Sequence, residues 1–330
     1  MRFAQKSDVQ NVMKFIHQYW KNDHILSRDQ ELFDHLYLEK SGNLNFVIAT
    51  EVSTGRDIAI IGFIPTNSSL SRVSIALWKA INDDHLRSLH AGLACFSYLV
   101  NELRPRNLLC IGIKGKIRQV YEFMGYSTSL MDHHFVPNNT LMEFKILVNP
   151  PAFKDKHVST DKDCFVRKIL CCSDLRTDAI SLELEKYGKD VAYFCHRYID
   201  HPRFAYDIIE VLDGIRLGGI VVYRRCSVDR ASCIRIIDVV GGTSCLKLAM
   251  PFLVNEMISN GDEYIDLVSW GLSGAELEQI GFIDRRKHLD CIVPDHFAPF
   301  TQLNKDIWCF SNQPDSEQLF KGDGDQDRPN

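Results

Sequence analysis

Apolar positions alternate with polar ones in patterns that predict helices and strands in a regular order. Capping boxes at residues 7–10 and 27–30 each precede an apolar stripe with helical spacing. Residues 45–51 and 57–64 alternate in the manner of strands around Thr54-Gly55, which predicts a hairpin. The chain is therefore expected to begin with two helices followed by a hairpin.

The rest of the first half continues this order. Residues 73–80 and 108–113 are predicted strands, and the helix between them is expected to start near Ala91. A short helix then ends at Gly125-Tyr126. Residues 127–136 and 141–147 are expected to be the closing strands. The prolines of Asn149-Pro150-Pro151 break both helix and sheet, so they predict a domain boundary between residues 1–150 and 151–330.

The second half follows the same plan. It contains, in order, predicted helices at 173–187 and 190–198, strands at 204–211, 217–224 and 232–239, a helix to Asn260, a strand at 264–268 and a short capped helix from Ser273. Asp213-Gly214 gives a strong hairpin signal. The distance from Val73 to Gly125 is 52 residues, and that from Ser232 to Gly281 is 49. This similarity predicts an internal duplication.

Composition limits the functions that the chain can have. A length of 330 residues predicts two domains, and 45% hydrophobic with 25% charged residues is typical of a globular protein. The net charge of −5 argues against a nucleic-acid partner. No apolar run reaches the roughly 18 residues of a membrane span, and the first residues do not resemble a signal peptide. The eleven cysteines include no C-x-x-C pair, so reduced thiols and a cytoplasmic location are expected.

The segment from Val73 to Tyr126 has the elements that bind a phosphorylated thioester. The N-terminus of a helix presents free N–H groups and a partial positive charge to an anion. Gly92 allows the backbone to approach that anion closely. If the two strands separate at this point, they leave a slot for a long, thin ligand.

Two short motifs in this segment resemble the GNAT superfamily of acyl-coenzyme A N-acyltransferases. Leu89-His90-Ala91-Gly92-Leu93-Ala94 keeps the Gly-x-Ala of the family's pyrophosphate loop but has Leu89 at the family's Gln/Arg position. Residues 121–126 keep the Tyr, Glu, Gly and final aromatic residue of the later helix. Lys114 and Ile117 replace the Asn and Ala that the family often has before them.

This resemblance implies an α/β (α+β) protein of two GNAT-like domains, each a mixed, mostly antiparallel sheet flanked by helices. It implies acyl-coenzyme A as co-substrate, no metal, and a coenzyme site in the first half. The implied cofactor-binding residues are Ala80, Ile81, Arg87, His90, Ala91, Gly92, Leu93, Ala94, Lys114 and Lys116. The charged side chains among them are equally explained as solvated surface groups.

Three residues are candidates for catalysis. Tyr121 is the expected general acid toward the departing thiolate, with packing on the sheet as the alternative; the second half has Leu277 there. His201 has a pKa suited to accepting the amine's proton, although turn histidines also cap backbone. Asp238 lies in an apolar strand, where a carboxylate needs a partner. Asp238 therefore either binds the substrate or pairs internally with Arg235 or Arg216.

A doubled GNAT arrangement resembles both Fem-type aminoacyl transferases and bacterial acyltransferases of nucleotide-linked amino sugars. Residues that resemble the sugar group are Gly62-Phe63-Ile64-Pro65, Ala76-Leu77-Trp78-Lys79, Tyr198 with His201-Pro202, residues 235–238 and residues 323–330. The substrate-binding residues predicted are His134, Tyr206, Trp270, Asp323, Asp325, Asp327 and Arg328. For Trp270 and His134 the sequence favours packing in the core over a role in binding. The acidic residues 323–327 either form a disordered tail or fold over the acceptor site.

The expected function is transfer of an acyl group, acetyl or 3-hydroxybutyryl, from acyl-coenzyme A to the amine of a nucleotide-linked amino deoxysugar. A thymidine-diphosphate 3-amino-3,6-dideoxyhexose used in lipopolysaccharide or capsule assembly is the first acceptor to consider. The alternatives are a Fem-type transferase, which the acidic net charge disfavours, and a non-catalytic GNAT-like binding module. The sequence leaves the oligomeric state open.

Overall fold

The computed structural model describes residues 1–81, 86–152, 164–175 and 177–329, without the side chains of residues 86–89. The described helices of the first half are α1 (Val9–Tyr19), α2 (Ile25–Arg28), α3 (Gln30–Tyr37), α4 (Leu86–Leu103) and α5 (Arg118–Phe123). The described strands of that half are β1 (Arg2–Gln5), β2 (Asn43–Thr50), β3 (Asp57–Pro65), β4 (Arg72–Ala80), β5 (Asn107–Ile113), β6 (Ser127–Leu130) and β7 (Asp132–Pro137).

The second half has the same order of elements. Its described helices are α6 (Asp178–Lys186), α7 (Val191–Phe194) with a π-helical turn at Cys195–Ile199, α8 (Gly242–Asn260) and α9 (Gly274–Gln279). Its described strands are β8 (Cys164–Ile169), β9 (Asp207–Asp213), β10 (Arg216–Val228), β11 (Ala231–Val240), β12 (Tyr264–Trp270), β13 (Ile283–Asp284), β14 (His296–Phe297), β15 (Phe300–Thr301), β16 (Trp308–Ser311) and β17 (Leu319–Phe320).

The two large sheets have matching strand orders. Within the described residues the first sheet runs β1-β2-β3-β4-β5-β16-β6, and the second runs β8-β9-β10-β11-β12-β7-β13. In both sheets the only parallel pair is the central one, β4 with β5 and β11 with β12, among the described strands. The predicted duplication therefore agrees with the topology, and the mixed, mostly antiparallel class is confirmed.

Each half donates one strand to the sheet of the other half. β16 lies between β5 and β6 of the first sheet, and β7 lies between β12 and β13 of the second. Both inserted strands occupy the sixth position. The two sheets do not divide the chain at residues 149–151, because each contains a strand from the other half. The boundary between two independent domains there stays a prediction.

The central strand of each sheet carries a bulge at the same place. Ile61 pairs with Trp78 and Phe63 with Ile75, so Gly62 lies opposite the two residues Ala76 and Leu77. A bulge bends its strand and interrupts regular pairing. In the second sheet Val222 pairs with Asp238 and Tyr223 with Ile236, which leaves Ile237 as the extra residue.

Local signals predicted most outer elements, and Ser273 caps α9 as expected. The two capping boxes of the first half were placed wrongly: α3 is capped by Asp29, which accepts from Leu32 N at 3.0 Å, and the first box is formed by Gln5 and Asp8. The apolar face predicted for α3 is buried: it consists of Leu32, Phe33, Leu36 and Tyr37. The two predicted hairpins, β2–β3 and β9–β10, are present as well.

Three further predictions of local structure were wrong. Residues 141–147 form no regular strand; there the N–H groups of Lys145, Ile146 and Leu147 bind the carboxylate of Glu263 instead. Helix α4 does not start near Ala91, because Leu86 is already helical. The helix expected from residue 173 begins only at Asp178, where Thr177 caps it.

Candidate active site

The central strands of the first sheet separate beyond the bulge. Their pairing ends at Ile75 with Cys110, although β4 continues to Ala80 and β5 to Ile113. No described strand pairs with the facing edges of the two separated ends. We call the space between residues 76–80 of β4 and 111–113 of β5 the first gap. Trp78 and Ala80 along it are half-buried. At Gly112 the side chain of Gln326 lies against β5, 2.4 Å from the position that a Cβ would take.

Two lysines lie near the outer end of the first gap, Lys79 on β4 and Lys114 directly after β5. Burial lowers the pKa of Lys79, and the positive charge of Lys114 lowers it further. Such repulsion is relieved when an anion lies between two cations. Lys116 and His90 are exposed near the same end, while the side chain of Arg87 lies outside the described residues. The sequence did not single out Lys79 as a site residue.

The predicted pyrophosphate loop is part of a helix. Because α4 is helical from Leu86, the N–H groups of Ala91, Gly92, Leu93 and Ala94 have partners within the helix. Unpaired N–H groups at this helix end must come before residue 91. Gly92 packs on the sheet instead: its carbonyl oxygen accepts the indole N–H of Trp78 at 2.9 Å. Ile81, just beyond β4, is buried in the core rather than lining the surface.

Tyr121 lies beneath the first gap in an aromatic cluster. Its ring centroid is 5.6 Å from that of Trp78 and 4.4 Å from that of Phe310. The residue is 2% exposed, and burial raises its pKa well above the ordinary value. The phenol is therefore protonated at neutral pH. This position is compatible with both roles considered from the sequence, a general acid and a side chain that packs on the sheet. The role as proton donor therefore stays a prediction.

The corresponding gap of the second sheet is filled by the chain itself. Pairing of β11 with β12 ends at Ile236 with Leu267, and beyond it β17 pairs with β12 through Ser269–Phe320 and Trp270–Leu319. The chain then passes so close to the Tyr198 hydroxyl that a Cβ on Gly322 would lie 2.2 Å from it. We call this space the second gap.

Residues 321–329, which we call the closing segment, are ordered and mostly buried, so a disordered tail was the wrong expectation. One Asp323 oxygen lies 2.9 Å from both Arg72 and Lys189. Burial alone would raise the pKa of Asp323, but these two cations lower it below the ordinary range. Arg72 belongs to the first sheet and Lys189 to the second half, so Asp323 connects the halves.

Other side chains of the closing segment are also paired internally. Asp327 accepts from Arg224 at 2.7 Å and from the Tyr206 hydroxyl at 2.8 Å. Asp325 pairs with Arg328 at 3.0 Å, and Arg328 contacts His24. These groups already have partners in the protein, and a role for any of them in binding a substrate stays a prediction.

Asp238 has internal partners that differ from those expected. Its two oxygens accept from Lys189 at 2.5 Å and from the Tyr198 hydroxyl at 2.7 Å. Arg235 instead pairs with Asp266 at 2.8 Å. Sequence spacing could not identify Lys189 as the partner, because it is 49 positions away on a different element.

The two candidate histidines are buried. His201 Nδ1 accepts from the backbone N–H groups of Arg203 at 3.2 Å and Phe204 at 2.9 Å, so it caps its turn. Burial, followed by the charge of Arg197, lowers the pKa of His201 to about 3. Burial also lowers the pKa of His134 to about 4. Neither environment favours a base that accepts protons at neutral pH.

Arg197 was missed by the sequence reasoning. It lies on the π-helical turn and donates to the carbonyl oxygens of Gly322, Gly324 and Asp327 at 3.2–3.3 Å. π-Helical turns often occur where a helix must redirect a side chain. The sequence carries no local signal for such a turn.

An open groove lies where the two sheets meet. Its volume is about 740 Å³, and its lining comes from β6, the start of β7, the end of β12, the turn into α9, Arg286 and Trp308. Trp270, one of the predicted substrate-binding residues, forms part of it.

The described residues contain no group of three or more His, Cys, Asp or Glu side chains placed to hold a metal ion. Within the same residues, no helix combines the length and apolar character needed to cross a membrane.

Solved structures share this arrangement across both halves. A probable N-acyltransferase from Enterococcus faecalis V583 aligns with a TM-score of 0.57 and 8% identity, covering 94% of this chain and 71% of that one. GCN5-related N-acetyltransferases from Kribbella flavida and Anabaena variabilis align with TM-scores of 0.54 and 0.53, at 11% and 12% identity. They cover 94% and 93% of this chain, and 69% and 71% of their own. The chain has the GNAT fold.

The GNAT comparison extends over both sheets, because each alignment includes more than nine-tenths of this chain. At identities this low the likeness concerns the fold, and fold alone does not fix function. No protein-family model matches the sequence, and no curated protein matches it.

Proposed function

We propose that the protein is an acyltransferase that binds acyl-coenzyme A in the first gap and transfers the acyl group to an amine. The main support is the difference between the two gaps. The first is not spanned by any described strand, whereas β17 occupies the second. An extended pantetheine arm requires such an opening between two strands.

Charge at the first gap supports the same ligand. Lys79 and Lys114 lie on either side of its outer end, where the pyrophosphate or the 3′-phosphate would bind. β4 has a bulge against β3 at Ala76 and Leu77, and its pairing with β5 ends just before it, at Ile75. Backbone N–H groups there are the natural donors to the thioester oxygen as it becomes an oxyanion.

The reaction proceeds by direct attack of a neutral amine on the thioester carbonyl. A C–N bond forms, the C–S bond breaks, and coenzyme A leaves as a thiolate. Tyr121 is the proposed proton donor to that sulfur because of its position in the family motif; burial raises its pKa and so makes it a weaker acid than a free phenol. The amine's proton passes to water, because His201 and Asp238 are both engaged by internal hydrogen bonds.

The acceptor that we propose is a nucleotide-linked amino deoxysugar, first a thymidine-diphosphate 3-amino-3,6-dideoxyhexose. The support is the set of short sequence resemblances that extends over both halves. The structure weakens one part of this argument, because the carboxylates of residues 323–327 bind groups of the protein itself.

Release of free thiol from acetyl-coenzyme A and 3-hydroxybutyryl-coenzyme A tests the proposal. Each donor is incubated with nucleotide-linked amino sugars, with the corresponding sugars that carry a hydroxyl instead of the amine, and with simple amines. We expect release only when an amine is present. Binding of coenzyme A without release for any acceptor would favour a binding module, and absence of both would overturn the proposal.

A further inference from the structure

The groove between the sheets has the composition of a site for a flat, polar ligand. Its volume of about 740 Å³ lies within the usual range for small-molecule sites. Two tryptophans, Trp270 and Trp308, contribute the large apolar surface. Hydroxyls come from Thr128, Ser129 and Ser273. Each already has a partner in the protein: Thr128 donates to Glu122, Ser129 donates to the Leu130 carbonyl oxygen, and Ser273 accepts from Glu276 N.

Cations lie beside both tryptophans. The Arg118 guanidinium stacks on Trp308, 4.8 Å from its ring centroid. Arg286 is half-exposed and reaches Asp132 at 2.5 Å and Asp284 at 3.2 Å. An exposed guanidinium beside aromatic rings suits phosphate oxygens next to a flat base.

The groove and the first gap lie on opposite flanks of β5. Trp308 pairs with Ile113, the last residue of β5, and a Cβ on Gly115 would lie 3.3 Å from the Trp308 indole nitrogen. Lys114, at the outer end of the first gap, lies between these two residues in sequence. One ligand in each place would therefore approach the same end of β5.

We propose that this groove binds the nucleoside diphosphate of the acceptor, with the base against Trp270 and the diphosphate at Arg286. This rests on the proposed function, because it locates the acceptor of that reaction. With the nucleotide bound in this groove, the acceptor needs no contact with the buried carboxylates of the closing segment.

Binding of thymidine diphosphate and of thymidine, measured by calorimetry without acyl donor, tests the proposal. Trp270→Leu should weaken both ligands by roughly tenfold, since it removes the stacking surface. Arg286→Gln should weaken thymidine diphosphate by a similar factor and leave thymidine unchanged. Trp20→Leu, outside the groove, is the matched control and should change neither affinity.

If Trp270→Leu fails to fold, Arg286→Gln still tests the proposal. Unchanged thymidine diphosphate affinity in Arg286→Gln, or no binding of this nucleotide to the wild type at millimolar concentration, would overturn the location. Thiol release with a simple amine, measured in parallel, separates the two proposals. If release persists while nucleotide binding is absent, the groove assignment fails and the acyltransferase proposal stands.

Discussion

Ser269 of β12 pairs with Phe320 of β17 in the second sheet, and no described strand makes the corresponding pairing beyond Ile75 in the first. The two sheets otherwise share strand order, parallel central pair and bulge. The duplicated halves have therefore diverged at the position where the chemistry is proposed. The first gap holds no described strand, whereas the second holds β17.

Tyr121→Phe should lower turnover by roughly ten- to ten-thousandfold, the usual range for a positioned acid. The ring packs on Trp78 and Phe310, and phenylalanine keeps that packing, so the melting temperature should be nearly unchanged. The measurement is kcat by thiol release. Tyr126→Phe, in the same aromatic cluster, is the control and should retain activity. Wild-type turnover in Tyr121→Phe would remove the proposed role.

Lys114→Gln and Lys79→Gln should each weaken acyl-coenzyme A binding by roughly tenfold, because a charge-assisted contact to phosphate is lost. Calorimetry at low ionic strength gives the affinities. Lys14→Gln, an exposed residue of α1, serves as the control. Equal affinity in all three variants would show that the phosphates bind elsewhere.

Asp323→Asn should lower the free energy of unfolding by about 3 kcal/mol, since it leaves Arg72 and Lys189 without a shared buried partner. Urea titration measures this loss. Asp315→Asn changes an exposed carboxylate and should stay within about 0.5 kcal/mol of the wild type. Normal stability with a raised acceptor KM in Asp323→Asn would instead assign Asp323 to substrate binding.

Acid should destabilise the protein below pH 6.5, before most carboxylates are protonated. Burial lowers the pKa of His134 to about 4 and that of His201 to about 3, so the unfolded chain binds protons at pH values where the folded chain does not. Each such histidine contributes stability that is present above pH 6.5 and is lost as the pH falls toward its folded pKa. The slope is about 1.4 kcal/mol per pH unit for each one.

His201→Asn tests this slope, because an asparagine oxygen can accept the same N–H groups of Arg203 and Phe204. Urea titrations at pH 6, 5 and 4.5 should show a shallower loss of stability than in the wild type. An identical pH dependence in the two proteins would contradict the buried, neutral state of His201.

Local sequence signals predicted the outer elements and the repeat well. The cap at Ser273, the hairpin at Asp213-Gly214 and the order of helices and strands depend on neighbours in the chain. The exchange of β7 and β16 could not be predicted in this way. A strand's alternation shows which face is buried, but it does not show which sheet the strand joins.

The candidate site was predicted less completely for a similar reason. The partners of Asp323 and Asp238 are distant in sequence, since Arg72 is 251 positions from Asp323. Three acidic residues within five positions therefore indicated a solvated segment, although each is buried beside a cation. The start of α4 was missed because Gly92 was interpreted as a loop glycine, whereas it serves as a contact for Trp78.

A crystal structure with bound acetyl-coenzyme A tests the central claim most directly. The account predicts one coenzyme per chain, with the pantetheine arm between residues 76–80 and 111–113, and Leu319–Phe320 still paired with β12. A coenzyme bound in the second sheet after displacement of β17, or anywhere outside the first gap, would contradict it.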